Sequence, residues 1–484
     1  MENELNIEMA QKIAQAVALQ NGTTYYVGGY VRDQLRGIGN KDVDIEIHGL
    51  APAQVEGILG SLGQRLVMGE SFGIYNLKGY DLDISLPRKE NDRGIGHNDL
   101  SACVDPFIGT YKAALRRDFT INAMMQDVLT GEVLDYFGGK QDLAKKVIRH
   151  VSDTTFVEDP LRAIRAAQFA ARFGFTLSAE TIELCRQIDL RGLASERVLG
   201  EVRKALLKSD RPSVFFEVLR DMDQLEPWFK ELKPLIGTPQ NTRHHAEGDA
   251  WVHTMMVIDE AAKLRDHAKN PFGFMLAALT HDFGKPVVTE MVNGELHAYR
   301  HEEEGLPIAR SFITRLTNEE ALLEYALNLD ALHMKPNRMA EDRASKKATN
   351  KMFDDAVDPE ALIYLAIADG LGKIPPSEPE EPLKFLHSRL AYFNEIMSRP
   401  YVMGRDLVEA GIQPSKKFSE YLALAHKMRI AGVSKENTLR QVLAAARKDG
   451  QLSEENTEAS DEEVMAVAER ILEEHRAAFE ELAK

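Results

Sequence analysis

The run Lys41–Gly49, KDVDIEIHG, reads as a strand and carries Asp42 and Asp44 two residues apart. Side chains alternate faces along a strand, so both carboxylates point the same way. Side by side they repel, and cations must neutralise them. Oxygen ligands in that arrangement suit Mg²⁺. Two such ions can activate an attacking hydroxyl and hold a triphosphate, which is the two-metal route for phosphoryl or nucleotidyl transfer. A later run, Tyr80-Asp81-Leu82-Asp83, repeats the pattern and offers a third acid, with Asp83 preferred over Asp81. Upstream, Gly28-Gly29-Tyr30-Val31-Arg32-Asp33 follows the strand-like TTYYV. Two glycines there let the backbone approach a bulky anion, and a helix after them points free N–H groups at it. Taken alone, a Gly-Gly is an ordinary turn and an Asp-X-Asp a solvated strand end.

A second group of residues lies midway along the chain. His245, Glu247 and His253 come first, then His281-Asp282 within Leu279–Lys285, then His301, His333 and Asp369. A single helical histidine is more often a core residue than a ligand. Several of them, spread over predicted helices together with acids, can hold one or two divalent ions. Imidazole and carboxylate together admit Mn, Ni, Co, Fe or Mg. Lys285 is a candidate phosphate contact or a solvated helix-end lysine.

The elements that must position these residues change character along the chain. Residues 1–20 read as a helix with Ile13, Ala14, Val17 and Ala18 or Leu19 on one face. Strands follow at TTYYVGG, KDVDIEIHG and YNLKGYDLDISLP, the last a strand or hairpin. Residues 88–114 read as a loop rich in Gly, Asn, Asp and Arg, and from about 141 the pattern is helical. This order predicts an α+β fold: a small mixed sheet with helices, then a long all-α body. Four prolines in Ile374–Pro382 interrupt any helix there, and a softer break falls at Lys233–Gln240. Two cysteines, Cys103 and Cys185, are too few for a disulfide framework, so a reducing, cytoplasmic compartment is expected. No apolar run of 18 residues is present, which argues against a membrane span. Lys and Arg number 59 against 76 Asp and Glu, a net charge of −17. Phosphate binding normally leaves a basic footprint, yet the charge is unevenly spread. Ser453–Lys484 holds 11 acids and 3 bases, with helical spacing in Val464, Ala468, Ile471, His475, Phe479 and Leu482. Gln141–Arg220 holds 14 bases against 11 acids.

Four motifs in order, GGYVRD, KDVDIE, Arg116–Met124 (RRDFTINAM) and Glu158–Arg162 (EDPLR), resemble the class II tRNA nucleotidyltransferases. These are the CCA-adding enzymes and their bacterial poly(A) polymerase relatives. ERVLGEVRKALL, Glu196–Leu207, is similar to a later motif of that family. The resemblance implies that Asp42 and Asp44 bind Mg²⁺, with Asp83 as a third catalytic acid. It implies that Gly28, Gly29 and Arg32 sit near the triphosphate, and that Arg117 and Asp118 contact sugar and phosphates. Asp159 and Arg162 would read the base edge of the incoming nucleotide from one helix face, and Arg165 and Arg172 would continue the basic face. The segment holding Arg88, Lys89, Arg93, Gly94, Gly96 and His97 would be the element that helps switch from C to A addition.

LTHDFGK and VHTMMVIDEA resemble the HD domain fused to some bacterial members. The resemblance implies a transition-metal or Mg²⁺ site of His253, His281, Asp282 and Asp369, with His301 and His333 as candidates for a second metal or for substrate phosphate. Arg300 stands where members often carry glycine. Met403–Gly411 resembles a C-terminal segment of the fused enzymes, which often continues Pro-Gly-Pro where this chain has Pro414-Ser415-Lys416-Lys417. The implied organisation is a nucleotidyltransferase head at 1–140, a helical neck for base recognition at 141–235, an HD phosphohydrolase domain at 236–375, and a C-terminal helical region with a candidate tRNA-binding part and acidic tail at 383–484. The implied partners are tRNA, CTP and ATP, with no membrane. The alternatives are an A-adding enzyme or poly(A) polymerase, an HD phosphohydrolase whose head binds RNA without catalysis, and a non-catalytic tRNA-binding protein.

Overall fold

The computed structural model describes residues 2–39, 42–66, 73–89, 103–241, 243 and 245–452. They fall into two compact units, one running to Lys233 and including Arg315–Asn318, the other taking the rest from Pro234.

The first unit is built on a mixed sheet. Its strands are β1 (Thr23–Val27), β2 (Val43–His48), β3 (Arg65–Leu66), β4 (Ile74–Leu77) and β5 (Leu82–Ser85). A side pair, β6 (Arg88–Lys89) and β7 (Cys103–Val104), precedes β8 (Met125–Asp127) and β9 (Val133–Leu134). The sheet order is β3-β4-β5-β2-β1-β8-β9. β2 runs antiparallel to β1 and parallel to β5, which sets Asp44 opposite Asp83. Alternation along β2 decides the two faces. Val43, Ile45 and Ile47 go into a core with Ile13, Ala14 and Val17 of helix Glu2–Ala18 and with Val55 and Leu59 of helix Pro52–Leu62. Asp44, Glu46 and His48 are left for the opposite face. Leu19, read as the end of the first helix's apolar face, is instead 88% exposed beyond that helix.

Helix Leu161–Phe173 buries Ala163, Ile164, Ala167 and Ala170 against helices Ser195–Lys208 and Ser213–Asp221. The stretch read as a loop is more ordered than its composition suggests. β6 pairs with β7, and Thr110–Leu115 is a helix. Arg93, Gly94, Gly96 and His97 lie outside the described residues, as does Ser453–Lys484.

The second unit is helical apart from the hairpin Glu290–Val292 with Glu295–His297. Helix Ala250–Leu264 packs on Pro359–Leu371 and on Pro271–Thr280, which packs in turn on Glu320–Leu332. Asp249, Asn270 and Asp358 cap three of these helices with side-chain oxygens. The proline-rich stretch interrupts the helices only as far as Pro379. Pro382 sits in the first turn of helix Glu380–Ser398, where its missing N–H leaves nothing unpaired. Asp406 binds the Met403 N–H at 2.6 Å and Lys435 at 2.7 Å, so the acid of that C-terminal segment caps a short helix. Among the described residues no helix is long and apolar enough to cross a membrane.

Candidate functional site

The head places its acids at one end of the β2–β5 pair. Asp42 is exposed just before β2, Asp44 is half-buried on it, and Asp83 accepts a hydrogen bond from Asn76 at 2.7 Å. Burial, and then the Asp83 charge, push the Asp44 carboxyl up to about 6, with Arg117 opposing and Asp42 and Asp81 adding to the rise. Gly28 has φ +64°, a backbone that favours glycine. A Cβ there would stand 3.4 Å from the Arg117 guanidinium and 3.7 Å from Asp44 Oδ2. The turn, Arg117 and Asp44 thus surround one point.

Arg117 donates to Glu46 at 3.3 Å, and the other oxygen of Glu46 binds His48 at 2.8 Å. Burial would raise the Glu46 carboxyl, but His48 and Arg117 hold it below its usual value. The sequence reading missed Glu46 and His48, although they continue the alternating polar face of β2.

The remaining nucleotide candidates are joined in a buried chain of charges. Arg32 donates to both oxygens of Asp33 at 2.8 Å and to Asn122 at 2.7 Å, and lies over the Phe173 ring at 4.4 Å. Asn122 donates to Asp118 at 3.1 Å, and Arg165 grips Asp118 Oδ2 at 2.7 and 3.0 Å. Burial opposes ionisation of Asp118, yet Arg165 and Asn122 hold its carboxyl below the ordinary range. Arg165 also reaches Glu201 at 3.4 Å.

Asp159 and Arg162 differ from the expected shared helix face. The helix starts at Leu161 after Pro160, and Asp159 lies before it. Arg162 donates to the carbonyls of Thr155 and Arg116, both at 2.6 Å, while Asp159 pairs with Arg197 at 2.8 Å.

In the second unit, His253, His281, Asp282, His301, His333 and Asp369 come together, all buried. Each imidazole is held from outside by a carbonyl. The Nδ1 contacts are to Gly372 at 3.0 Å from His253, Ala278 at 2.9 Å from His281, Ala298 at 2.8 Å from His301 and Asp330 at 2.6 Å from His333. Three of those carbonyls lie at helix ends, where carbonyls lack intrahelical partners. A carbonyl only accepts, so Nδ1 carries a hydrogen and each Nε2 faces inward, toward the cluster. His253 Nε2 is 3.1 Å from Asp369 and 3.5 Å from Asp282; His281 Nε2 is 3.3 Å from Asp282. His301 Nε2 is 3.4 Å from the other Asp282 oxygen and 3.2 Å from His333 Nε2. Four inward Nε2 atoms beside two carboxylates are a set of donors that can hold a divalent cation. The separations suit ligands about 2.0–2.2 Å from an ion, and metal-ligating imidazoles commonly give their other N–H to a backbone carbonyl, as these do. Asp282, with histidines on both oxygens, is shaped to bridge two positions.

Lys285 Nζ lies 2.6 Å from Asp282 and donates to Gln240 at 2.6 Å. Glu247 lies against the rings of His245 and His253 at 2.7 and 3.2 Å. Burial, then the Lys285 charge, lower the His245 imidazole to about 4. Burial beside His281 and His301 takes His333 to about 3.

Residues 24–149 match the Poly A polymerase head domain family. The multifunctional CCA protein of Actinobacillus pleuropneumoniae serotype 5b (strain L20) is 38% identical over 326 residues, 66% of this chain and 77% of that protein. The chain belongs to the CCA-adding enzyme family. The multifunctional CCA protein of Shewanella denitrificans (strain OS217) is likewise 38% identical, over 66% of this chain and 76% of its own. The fold agrees with that of CCA-adding enzymes. The Bacillus stearothermophilus enzyme in complex with CTP superposes with a TM-score of 0.64 at 20% identity, covering 92% of this chain and 98% of that one. The Thermotoga maritima enzyme complexed with tRNA gives 0.59 at 21%, covering 90% and 95%.

Besides Glu46 and His48, sequence reasoning for this CCA-adding enzyme family member missed the role of Gly284. A Cβ there would fall 2.1 Å from the His301 carbonyl oxygen, so only glycine lets the His301 backbone come close. Its position in LTHDFGK was the available signal.

Proposed function

We propose that this chain adds or restores the 3′-terminal CCA of tRNA, with CTP and ATP as donors. The observation that carries the reading is Asp44 in register with Asp83, beside Asp42, with Arg117 at the Gly28 turn. The name of its relatives and the CTP, ATP and tRNA complexes of similar folds support it. The crowded carboxylates fit Mg²⁺, and two such ions would neutralise the triphosphate and lower the pKa of the attacking tRNA 3′ hydroxyl. The chain's own residues act around that point. The Arg117 guanidinium meets phosphate charge, and the Gly28 turn leaves room for it. Arg32, Asp118 and Arg165 form the buried frame behind the nucleotide. Asp159 and Arg162 are assigned the base edge, their poses fixed by Arg197 and two carbonyls. The 3′ oxygen attacks the α-phosphorus and pyrophosphate leaves.

The test uses tRNA ending before CC, after the first C and after CC, with labelled CTP or ATP. The expected products stop at CCA in each case. A long A tail would identify a poly(A) polymerase, and incorporation of A on the CC end alone an A-adding enzyme. Full activity in Asp42→Ala would remove the head from catalysis.

The inward-facing imidazoles around Asp282 support a second activity, a phosphohydrolase acting on RNA 3′ ends. His253, His281, Asp282 and Asp369 would hold the first divalent ion, and His301 and His333 with Asp282 a second. Such ions supply an activated water. Lys285 would balance phosphate charge. Phosphate release that needs added Mn²⁺, Ni²⁺, Co²⁺ or Mg²⁺ and disappears in His281→Ala is expected; release unchanged in that variant would refute the assignment.

A further inference from the structure

Leu407, Ile412, Tyr421, Val442 and Ala446 belong to a small core of their own in the second unit. A groove opens beside it, between the stretch Tyr401–Gly404 and helix Phe418–Ile430. The groove holds about 280 Å³, with Tyr401, Met403, Leu422 and Ala425 in its wall. Pockets for whole small molecules take about 300–1,000 Å³, whereas an anchor side chain of a docking helix needs less. Tyr401 and Met403 are 42% and 37% exposed, so the apolar rim faces water.

Charge selects among occupants. Tyr401–Leu452 carries nine Lys or Arg against five Asp or Glu. Arg429 lines the groove, with its guanidinium 3.9 Å from the centre of the Tyr401 ring. It donates to the neutral carbonyl of Met397, which leaves its charge open to a carboxylate. An acidic helix with one apolar face fits such a surface. Ser453–Lys484 has that pattern, with 11 acids against 3 bases and helical spacing in Val464, Ala468, Ile471, Phe479 and Leu482. It follows Leu452, which packs on the same small core. Val464 is twelve residues beyond Leu452, and twelve extended residues span about 40 Å, so the tether does not limit docking.

We propose that Ser453–Lys484 docks in this groove of its own chain as an amphipathic helix, with Phe479 as its anchor and Ile471 on the exposed rim. Docked, it lays its carboxylates over the basic region and keeps other polyanions off that surface.

The test follows amide hydrogen exchange in the full chain and in an Ile471→Asp/Phe479→Asp variant, which leaves the groove's own residues unaltered. Amides of Tyr401–Gly404 and Leu422–Arg429 should exchange about tenfold faster in the variant, because a large apolar side chain has left the groove. A synthetic peptide of Ser453–Lys484 should restore their protection. Met403→Asp should release the segment from the other side and speed exchange at Ile471–Phe479. The double variant is more acidic than the wild type, yet at low salt it should bind poly(U) about threefold tighter, since the basic region is uncovered. Unchanged exchange at the groove overturns the proposal. Protection that grows with protein concentration assigns the groove to a second copy, and protection that appears only with added RNA assigns it to RNA; either result overturns docking within the chain. Faster exchange with unchanged poly(U) binding keeps the docking and overturns the shielding.

Discussion

Glu46 accepts a hydrogen bond from Arg117 at 3.3 Å and stands two residues from Asp44 on the same face of β2. Arg117 therefore has two acids within its neighbourhood, and Glu46, backed by His48, is the one that holds it. Without Glu46 the guanidinium is drawn to Asp44, where it competes with Mg²⁺. Glu46→Gln keeps the shape and removes the charge. It should raise the Mg²⁺ concentration for half-maximal CTP incorporation about tenfold, the worth of one charged hydrogen bond. Mn²⁺ binding followed by electron paramagnetic resonance should weaken in parallel. An unchanged metal requirement would show that Glu46 only packs.

Asp44 illustrates a cost built into the head. Its carboxyl is pushed up to about 6, by burial first and by Asp83 next. Below about pH 4 the group is protonated in both folded and unfolded chains and adds nothing. As pH rises from there the unfolded chain loses its proton first, so stability falls until about pH 6 and stays reduced above it. Asp44→Asn should therefore stabilise the metal-free protein at pH 7.5 by about 1–2 kcal/mol, seen as a higher melting temperature of the head. The same variant should lose nucleotide addition. A lower melting temperature would refute this balance.

What the sequence revealed, and what it hid, follows from the range of each interaction. Asp42 and Asp44 were legible because strand alternation is local, and Asp83 because its run repeats the pattern; its parallel pairing with Asp44 crosses an intervening helix and two strands, which no local pattern shows. The same alternation pointed to Glu46 and His48, which were passed over because a single acid and histidine carry no motif. Arg162 was expected beside Asp159, and instead binds the carbonyls of Thr155 and Arg116. Backbone acceptors are invisible to a reading of side-chain types, since every residue has one. The same limit hid the four carbonyls behind His253, His281, His301 and His333. Asp118 was legible as a family position, but its partner Arg165 is 47 residues away on helix Leu161–Phe173.

That Asp118–Arg165 contact sets an acid limit on the head. Burial opposes the Asp118 charge, but Arg165 and Asn122 hold its carboxyl below the ordinary value. A depressed carboxyl contributes stability that is complete above the unfolded-state value, about pH 4. That stability is lost as pH falls through the folded value. Asp118→Asn leaves Arg165 without its main partner and should cost about 3 kcal/mol at pH 7. Its urea midpoint should also depend less on pH below 4 than that of the wild type. Parallel acid profiles of variant and wild type would contradict this.

The second unit should respond to metal by a different rule, because its imidazoles are preset. With Nδ1–H given to carbonyls, the four Nε2 atoms face Asp282, Asp369 and each other at 3.1–3.5 Å. Metal-free, the carboxylates are held only by neighbouring imidazoles and lysines, and an ion turns the arrangement into a bonded cage. Dialysis against a chelator should therefore lower the melting temperature of this unit. Mn²⁺ or Ni²⁺ at a hundredfold excess over its dissociation constant should return about 2.7 kcal/mol. Bound metal, counted by elemental analysis, should approach two per chain at this unit in an Asp42→Ala background that weakens the head site. His333→Ala should remove one of them, because among the described residues the group at that position then keeps only His301 and Asp282. Asp282→Asn should reduce both, since its two oxygens serve both positions. Loss of a single equivalent in Asp282→Asn would mean that the carboxylate does not bridge.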